Sequence, residues 1–108
     1  MRSYIPIAYD KKYKLDLPEN HRFPMIKYEL LPKKLISKGI SSQRDFFQPG
    51  LADINQLLEV HEKNYIFKLK NLKLTKSEIR RIGFPLSDRL IEREMIITNG
   101  TIKGAVKA

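Results

Sequence analysis

Apolar and polar positions alternate between two periods along this chain. Tyr4, Ile5, Ile7, Ala8 and Tyr9 form a short, β-prone run closed by the polar Asp10, Lys11 and Lys12. That pattern predicts a buried strand over residues 4–9 whose C-terminal end feeds a loop, and a strand of this kind needs a neighbour on each side. From Tyr13 to Asn20 the period is lost and Leu17-Pro18-Glu19-Asn20 reads as loop. A helix is expected to begin at Phe23-Pro24, since proline is tolerated where its missing N–H is not needed, and Met25, Tyr28, Leu31, Leu35 and Ile36 follow at helical spacing. Pro32 should kink or divide that helix, and Gly39 should stop it.

Phe46-Phe47-Gln48-Pro49 reads as a loop with apolar anchors, residues 52–58 as a short helix, and residues 57–61 as a short extended stretch. A helix follows over residues 64–72, with Tyr65, Leu69 and Leu72 facing the core. Thr75-Lys76-Ser77-Glu78 has capping-box form and should start a brief helix ending near Gly83. After Phe84-Pro85, Ser87 can cap a long final helix whose stripe runs through Ile91, Met95, Thr98, Ile102, Ala105 and Val106. This helix reaches Ala108 with no glycine stop and its stripe unfinished, so the sequence leads us to expect a chain cut at its C-terminus.

Composition narrows the class. With 108 residues, 42% of them hydrophobic, the chain suffices for one small domain and is too apolar to be disordered. The charge of +9 can attract nucleic acid or an acidic surface. Pairs such as Lys11-Lys12, Lys33-Lys34 and Arg80-Arg81 are spread along the sequence, however, and we read them as a solvated basic surface rather than a nucleic-acid patch. There is no cysteine, which removes disulfides, thiolate zinc sites and a cysteine nucleophile. No apolar run approaches the roughly 20 residues of a membrane span, and the start lacks the apolar core of a secretory signal, so a cytoplasmic setting is expected.

Candidate chemistry is sparse. His21 and His61 are the only histidines, with no His-x-x-x-His pair and no carboxylate cluster beside either, so no metal site is expected within the chain. Each histidine is read as a tie for its own loop. No Gly-x-Ser-x-Gly elbow is present, and the glycines are too dispersed for a phosphate loop. Gly100 and Gly104, four residues apart, are read as sites of close helix packing.

Three ordered blocks nevertheless carry a resemblance. His21-Arg22-Phe23-Pro24-Met25-Ile26-Lys27 resembles the first-loop signature of class IV histone deacetylases. Leu58-Glu59-Val60-His61, followed by Tyr65 and Leu69, is similar to that family's Val-His segment and the helix after it. Asn99-Gly100-Thr101-Ile102-Lys103-Gly104 is similar to the Gly-Gly-Thr helix that precedes its active-site strand.

The resemblance implies an α/β fold: the N-terminal part of an arginase/deacetylase-like three-layer architecture with a mostly parallel sheet, this portion being mainly helical with one or two strands. Residues 1–108 would be the N-terminal portion of a single deacetylase-like domain, truncated at the C-terminus. The parent would be a zinc-dependent deacetylase that hydrolyses an acyl-lysine or related acylated amine. Its metal ligands and proton-transfer groups would lie beyond this chain, which would bind no zinc and be inactive alone. Three residues are implied at the substrate rim or channel. Arg22 resembles a first-loop arginine that lines an internal channel in several relatives, although class IV members usually carry proline there. Gly83 and Phe84 belong to a second rim loop, where Phe84 is either an apolar wall for the acyl-lysine stem or a buried anchor between two helices.

Uncovered apolar surface makes self-association of the isolated chain an expectation as well. The alternative from a different class is a small basic binding module for nucleic acid or an acidic protein surface.

Overall fold

The computed structural model describes residues 5–19 and 21–108. Its elements, in order, are strand β1 (Ile7–Ala8), helix α1 (Lys27–Ser37), strand β2 (Phe46–Phe47), and helices α2 (Ile54–Leu58), α3 (Lys63–Lys70), α4 (Lys76–Ile82) and α5 (Asp88–Lys107). Short 3₁₀ turns occupy Lys11–Tyr13 and Gln43–Asp45. The expected α/β three-layer architecture with a mostly parallel sheet is corrected by this arrangement: the described residues form a mostly helical structure. Its sheet consists of β1 and β2 alone, paired in parallel with Ile7 opposite Phe46 and Ala8 opposite Phe47.

The reason lies in what covers the first apolar run. The backbone N–H of Tyr9 extends the strand pairing to the Phe47 carbonyl at 2.9 Å. Helix α5 also packs against β1. At Gly100 of α5, a Cβ would stand 3.2 Å from Ala8 Cβ and 2.5 Å from the Tyr13 hydroxyl, so the missing side chain is what lets α5 approach. Gly104 has nothing comparable against it, and close packing applies to the first glycine only.

Tyr4 of the expected strand lies outside the described residues. The segment 46–49, expected as loop, contributes β2 and the fully buried Pro49. Helix α1 begins at Lys27, because Pro24 and Met25 are used in turns that precede it, and it continues through Pro32 without division. Gly39, at φ 71°, ends it: the N–H of Ile40 reaches the Leu35 carbonyl and that of Gly39 reaches Ile36.

The expected extended stretch at 57–61 is instead a turn, in which the N–H groups of Val60 and His61 both point to the Leu57 carbonyl. In α3 the buried residue is Ile66. Leu72 does not face the core. It occupies the left-handed position after the helix at φ 56°, and is 40% exposed.

Three helix starts follow their local chemistry. Asp53 and Gln56 form a capping box on α2, and Thr75 and Glu78 form one on α4, with Glu78 N–H 3.2 Å from Thr75 Oγ1. The Ser87 hydroxyl accepts from Leu90 N–H at 3.0 Å to open α5.

The core gathers Leu15, Met25 and Leu90, with Phe23, Tyr28, Ile82, Phe84 and Leu86 packed against it. It is thin. Overall extents are 51 × 35 × 17 Å and the radius of gyration is 15.9 Å. A compact domain of this length would have about 13 Å. Apolar side chains such as Leu31, Ile40, Leu51, Val60 and Val106 are left more than half exposed, Val106 at the end of the predicted stripe among them. No helix among the described residues is long and apolar enough to cross a membrane.

Candidate functional site: the aromatic rim at His21 and Phe84

Two loops separated by about sixty residues meet through His21. The residue follows a turn in which its N–H bonds the Pro18 carbonyl at 2.9 Å. Its ring Nε2 lies 2.9 Å from the Gly83 carbonyl, and its Nδ1 accepts from the Phe23 N–H at 3.2 Å. A carbonyl can only accept, so Nε2 carries the proton and Nδ1 the lone pair. Both ring nitrogens are thereby engaged, and the imidazole stacks on Phe84 at 5.5 Å between centroids.

Gly83 sits at the end of α4 with φ 85°, a left-handed conformation suited to glycine, and there presents its carbonyl to His21. The next residue, Phe84, meets Phe23 edge-on at 5.1 Å. Phe23 in turn lies nearly parallel to Tyr28 at 6.4 Å. Two cations attend these rings. Lys27 Nζ lies 4.8 Å from the Phe23 ring centre, and the Arg93 guanidinium carbon lies 5.1 Å from Tyr28 and 5.6 Å from Phe84.

His21, Gly83 and Phe84 are therefore brought together, and Phe84 is half-buried: one side packs on the core while the ring closes the rim. Arg22 is not part of this contact. It is exposed and makes no hydrogen bond or ion pair among the described residues. His61 belongs to a different place: exposed, with its ring 5.7 Å from Tyr65, it stands at a cleft between α3 and α5.

A further residue at this site, Arg93, carries a signal in the sequence through its position alone. It falls three residues after Leu90 and three before Ile96, on the buried face of α5, where a charge needs a built partner. Only 3% exposed, it donates from Nε to the Tyr13 carbonyl at 2.6 Å and from Nη1 to Glu94 at 2.6 Å. One turn earlier, Arg89 donates to the Lys12 carbonyl at 2.6 Å. Tyr13 itself has its phenol pushed up from the ordinary value, first by burial and then by the nearby Asp10 carboxylate.

At the other end of α5, Asn99 Nδ2 reaches the carbonyls of Pro49, Gly50 and Leu51 at 2.7, 3.3 and 3.2 Å, and Lys103 joins it on Pro49 at 2.7 Å.

These residues do not fit a zinc ion. No group of three His, Cys, Asp or Glu side chains converges among the described residues. The single lone pair of the His21 ring is already committed to the Phe23 N–H. The rim is a cluster of stacked and edge-on aromatic rings flanked by two cations.

No protein-family model matches the chain. It is similar to an uncharacterized protein of Picosynechococcus sp., at 37% identity over 97 residues. That match covers 90% of this chain and 32% of the relative, so the chain spans about a third of the length of the protein it resembles.

Proposed function

We propose that the chain is the N-terminal segment of a zinc-dependent deacetylase that hydrolyses acyl-lysine or related acylated amine amides. In this reading it supplies β1 and the two loops of the rim, while the zinc and the groups that move protons are supplied outside these residues. The observation that carries it is the contact of His21 with Gly83 and Phe84. Two segments assigned separately to the family's rim loops by their sequence lie against each other, and they present aromatic faces of the kind that hold a lysine stem. The relative's greater length is consistent with further elements of the same enzyme. A cytoplasmic setting belongs to the same reading and is supported by a chain without cysteine.

The test is turnover of an acetyl-lysine peptide with zinc supplied. The isolated chain is expected to be inactive. The longer Picosynechococcus protein should release acetate in a reaction abolished by a chelator, and loss of its counterpart of Phe84 should raise KM more than it lowers kcat. Turnover by the isolated chain, or none by the longer protein loaded with zinc, would overturn the proposal.

A further inference from the structure

Most of the net charge is concentrated on one hairpin. Residues 63–82, which span α3 and α4, hold seven Lys and Arg against the single acid Glu78. Glu78 is itself taken up by the capping box and by Lys68 at 3.4 Å. Among the described residues, the exposed Lys63, Lys70, Lys76, Arg80 and Arg81 have no acidic partner. Five cations held on two adjacent short helices make a strongly positive surface.

Beside that surface runs an apolar groove between α3 and α5, about 240 Å³ in volume. Leu57, Tyr65, Leu69, Ile91 and Met95 form much of its wall. Glu94 is the one charged residue lining it, and the Arg93 guanidinium at 2.6 Å neutralises that carboxylate. Past Tyr65 and Ile82 the groove continues into a second recess bordered by Arg81. The groove is open to solvent along its length rather than an enclosed cavity. It suits a row of side chains presented by a partner.

We propose that this groove docks an acidic amphipathic helix of another protein, whose apolar residues at i, i+4 and i+7 enter between α3 and α5 while its carboxylates meet Arg80, Arg81 and the lysines of the hairpin. A polynucleotide would satisfy the cations but leave the groove empty, whereas an apolar helix would fill the groove but leave the cations unmatched. An acidic amphipathic helix answers both. Ile82 and the Arg93–Glu94 pair lie between this surface and the His21 rim, and its occupant does not depend on the deacetylase reading.

The experiment is fluorescence anisotropy of the full chain with a labelled peptide of about 14 residues, carrying Leu or Phe at the three anchor positions and Asp or Glu on its other face. The expected result is saturable binding in the micromolar range. Replacing the anchors by alanine at constant charge should weaken binding by ~10-fold or more. The double variant Arg80→Glu, Arg81→Glu should do the same, and because both residues are exposed its circular dichroism should match that of the parent. If that variant loses its fold, Lys70→Glu with Lys76→Glu replaces it. Amide and methyl shifts should change at Leu57, Leu69 and Met95. Equal binding of the peptide and its alanine-anchor control, tighter binding of an RNA duplex that displaces the peptide, or no binding at saturating peptide would each overturn the proposal.

Discussion

The guanidinium of Arg93 donates from Nε to the backbone carbonyl of Tyr13 at 2.6 Å, joining residues eighty positions apart across the thin core. Burial makes the contact count. A charged donor removed from water is worth more than an exposed one, and removing it strands the Tyr13 carbonyl. Arg93→Met is expected to lower unfolding free energy by about 2–3 kcal/mol. Arg93→Lys should recover less than half, because an ammonium cannot reproduce the planar fork that also reaches Glu94. Urea unfolding followed by circular dichroism checks both. A loss below ~0.5 kcal/mol in the Met variant would show the guanidinium to be dispensable.

Asn99 poses a sharper chemical question, since its amide nitrogen faces three carbonyls. Asn99→Ala removes the donor and should destabilise by about 1–2 kcal/mol. Asn99→Asp retains the shape but sets a carboxylate against acceptor oxygens. It should therefore be the worse of the two at neutral pH, and should recover towards the Ala variant as the carboxyl is protonated. Thermal melts at two pH values distinguish them.

Two glycines on one helix should respond with opposite signs. Alanine at either position gains roughly 1 kcal/mol of helix propensity. At Gly104 the new methyl meets nothing within 4 Å, and stability should rise by up to that amount. At Gly100 it meets the Tyr13 hydroxyl and Ala8 Cβ, and overpacking of about 1–3 kcal/mol should outweigh the gain. Equal melting shifts for Gly100→Ala and Gly104→Ala would contradict the close approach of α5 to β1.

Two carboxyls contribute to the acid limb of stability. Glu29 is held below its ordinary value of 4.5, chiefly by its hydrogen bond from Lys14 and then by the Lys14 and Lys33 charges. Glu78 is held below 4.5 chiefly by the Thr75 backbone N–H. As pH falls, the unfolded chain takes up these protons first. The stability they supply is complete above the ordinary carboxylate value and disappears as pH drops through the lower folded values. Glu78→Gln keeps a side-chain acceptor for the cap but does not titrate, so melting temperature should fall less steeply below pH 4.5 in that variant.

What the sequence disclosed was local. The starts of α4 and α5 were legible because Thr75 and Ser87 act on amides within three residues of themselves, and the end of α4 because Gly83 takes a left-handed turn. The start of α1 was misplaced because Pro24 fits a turn as well as a first helical position. β2 went unrecognised because two residues, Phe46 and Phe47, are too few for alternation to show. The apolar run at 5–9 suggested a sheet on both sides, whereas one strand and a helix bared at Gly100 meet it instead.

The rim was half legible. Motif resemblance named Gly83 and Phe84, and loop position named His21. That His21 binds Gly83 spans 62 positions and leaves no periodic trace. The contacts of Arg93 with the Tyr13 carbonyl and of Asn99 with the Pro49 carbonyl are likewise distant in sequence, and no residue type announces a backbone carbonyl.

Helix α5 holds the segments at 12–14 and 49–51 through side chains at Arg89, Arg93, Asn99 and Lys103. The order of synthesis then matters. A ribosome releases those segments long before it makes the residues that fasten them, so the first half of the nascent chain emerges with its carbonyls unclaimed and its apolar strand uncovered. Folding of these segments waits on residues 88–107, and a chain stopped before them would offer itself to chaperones and proteases.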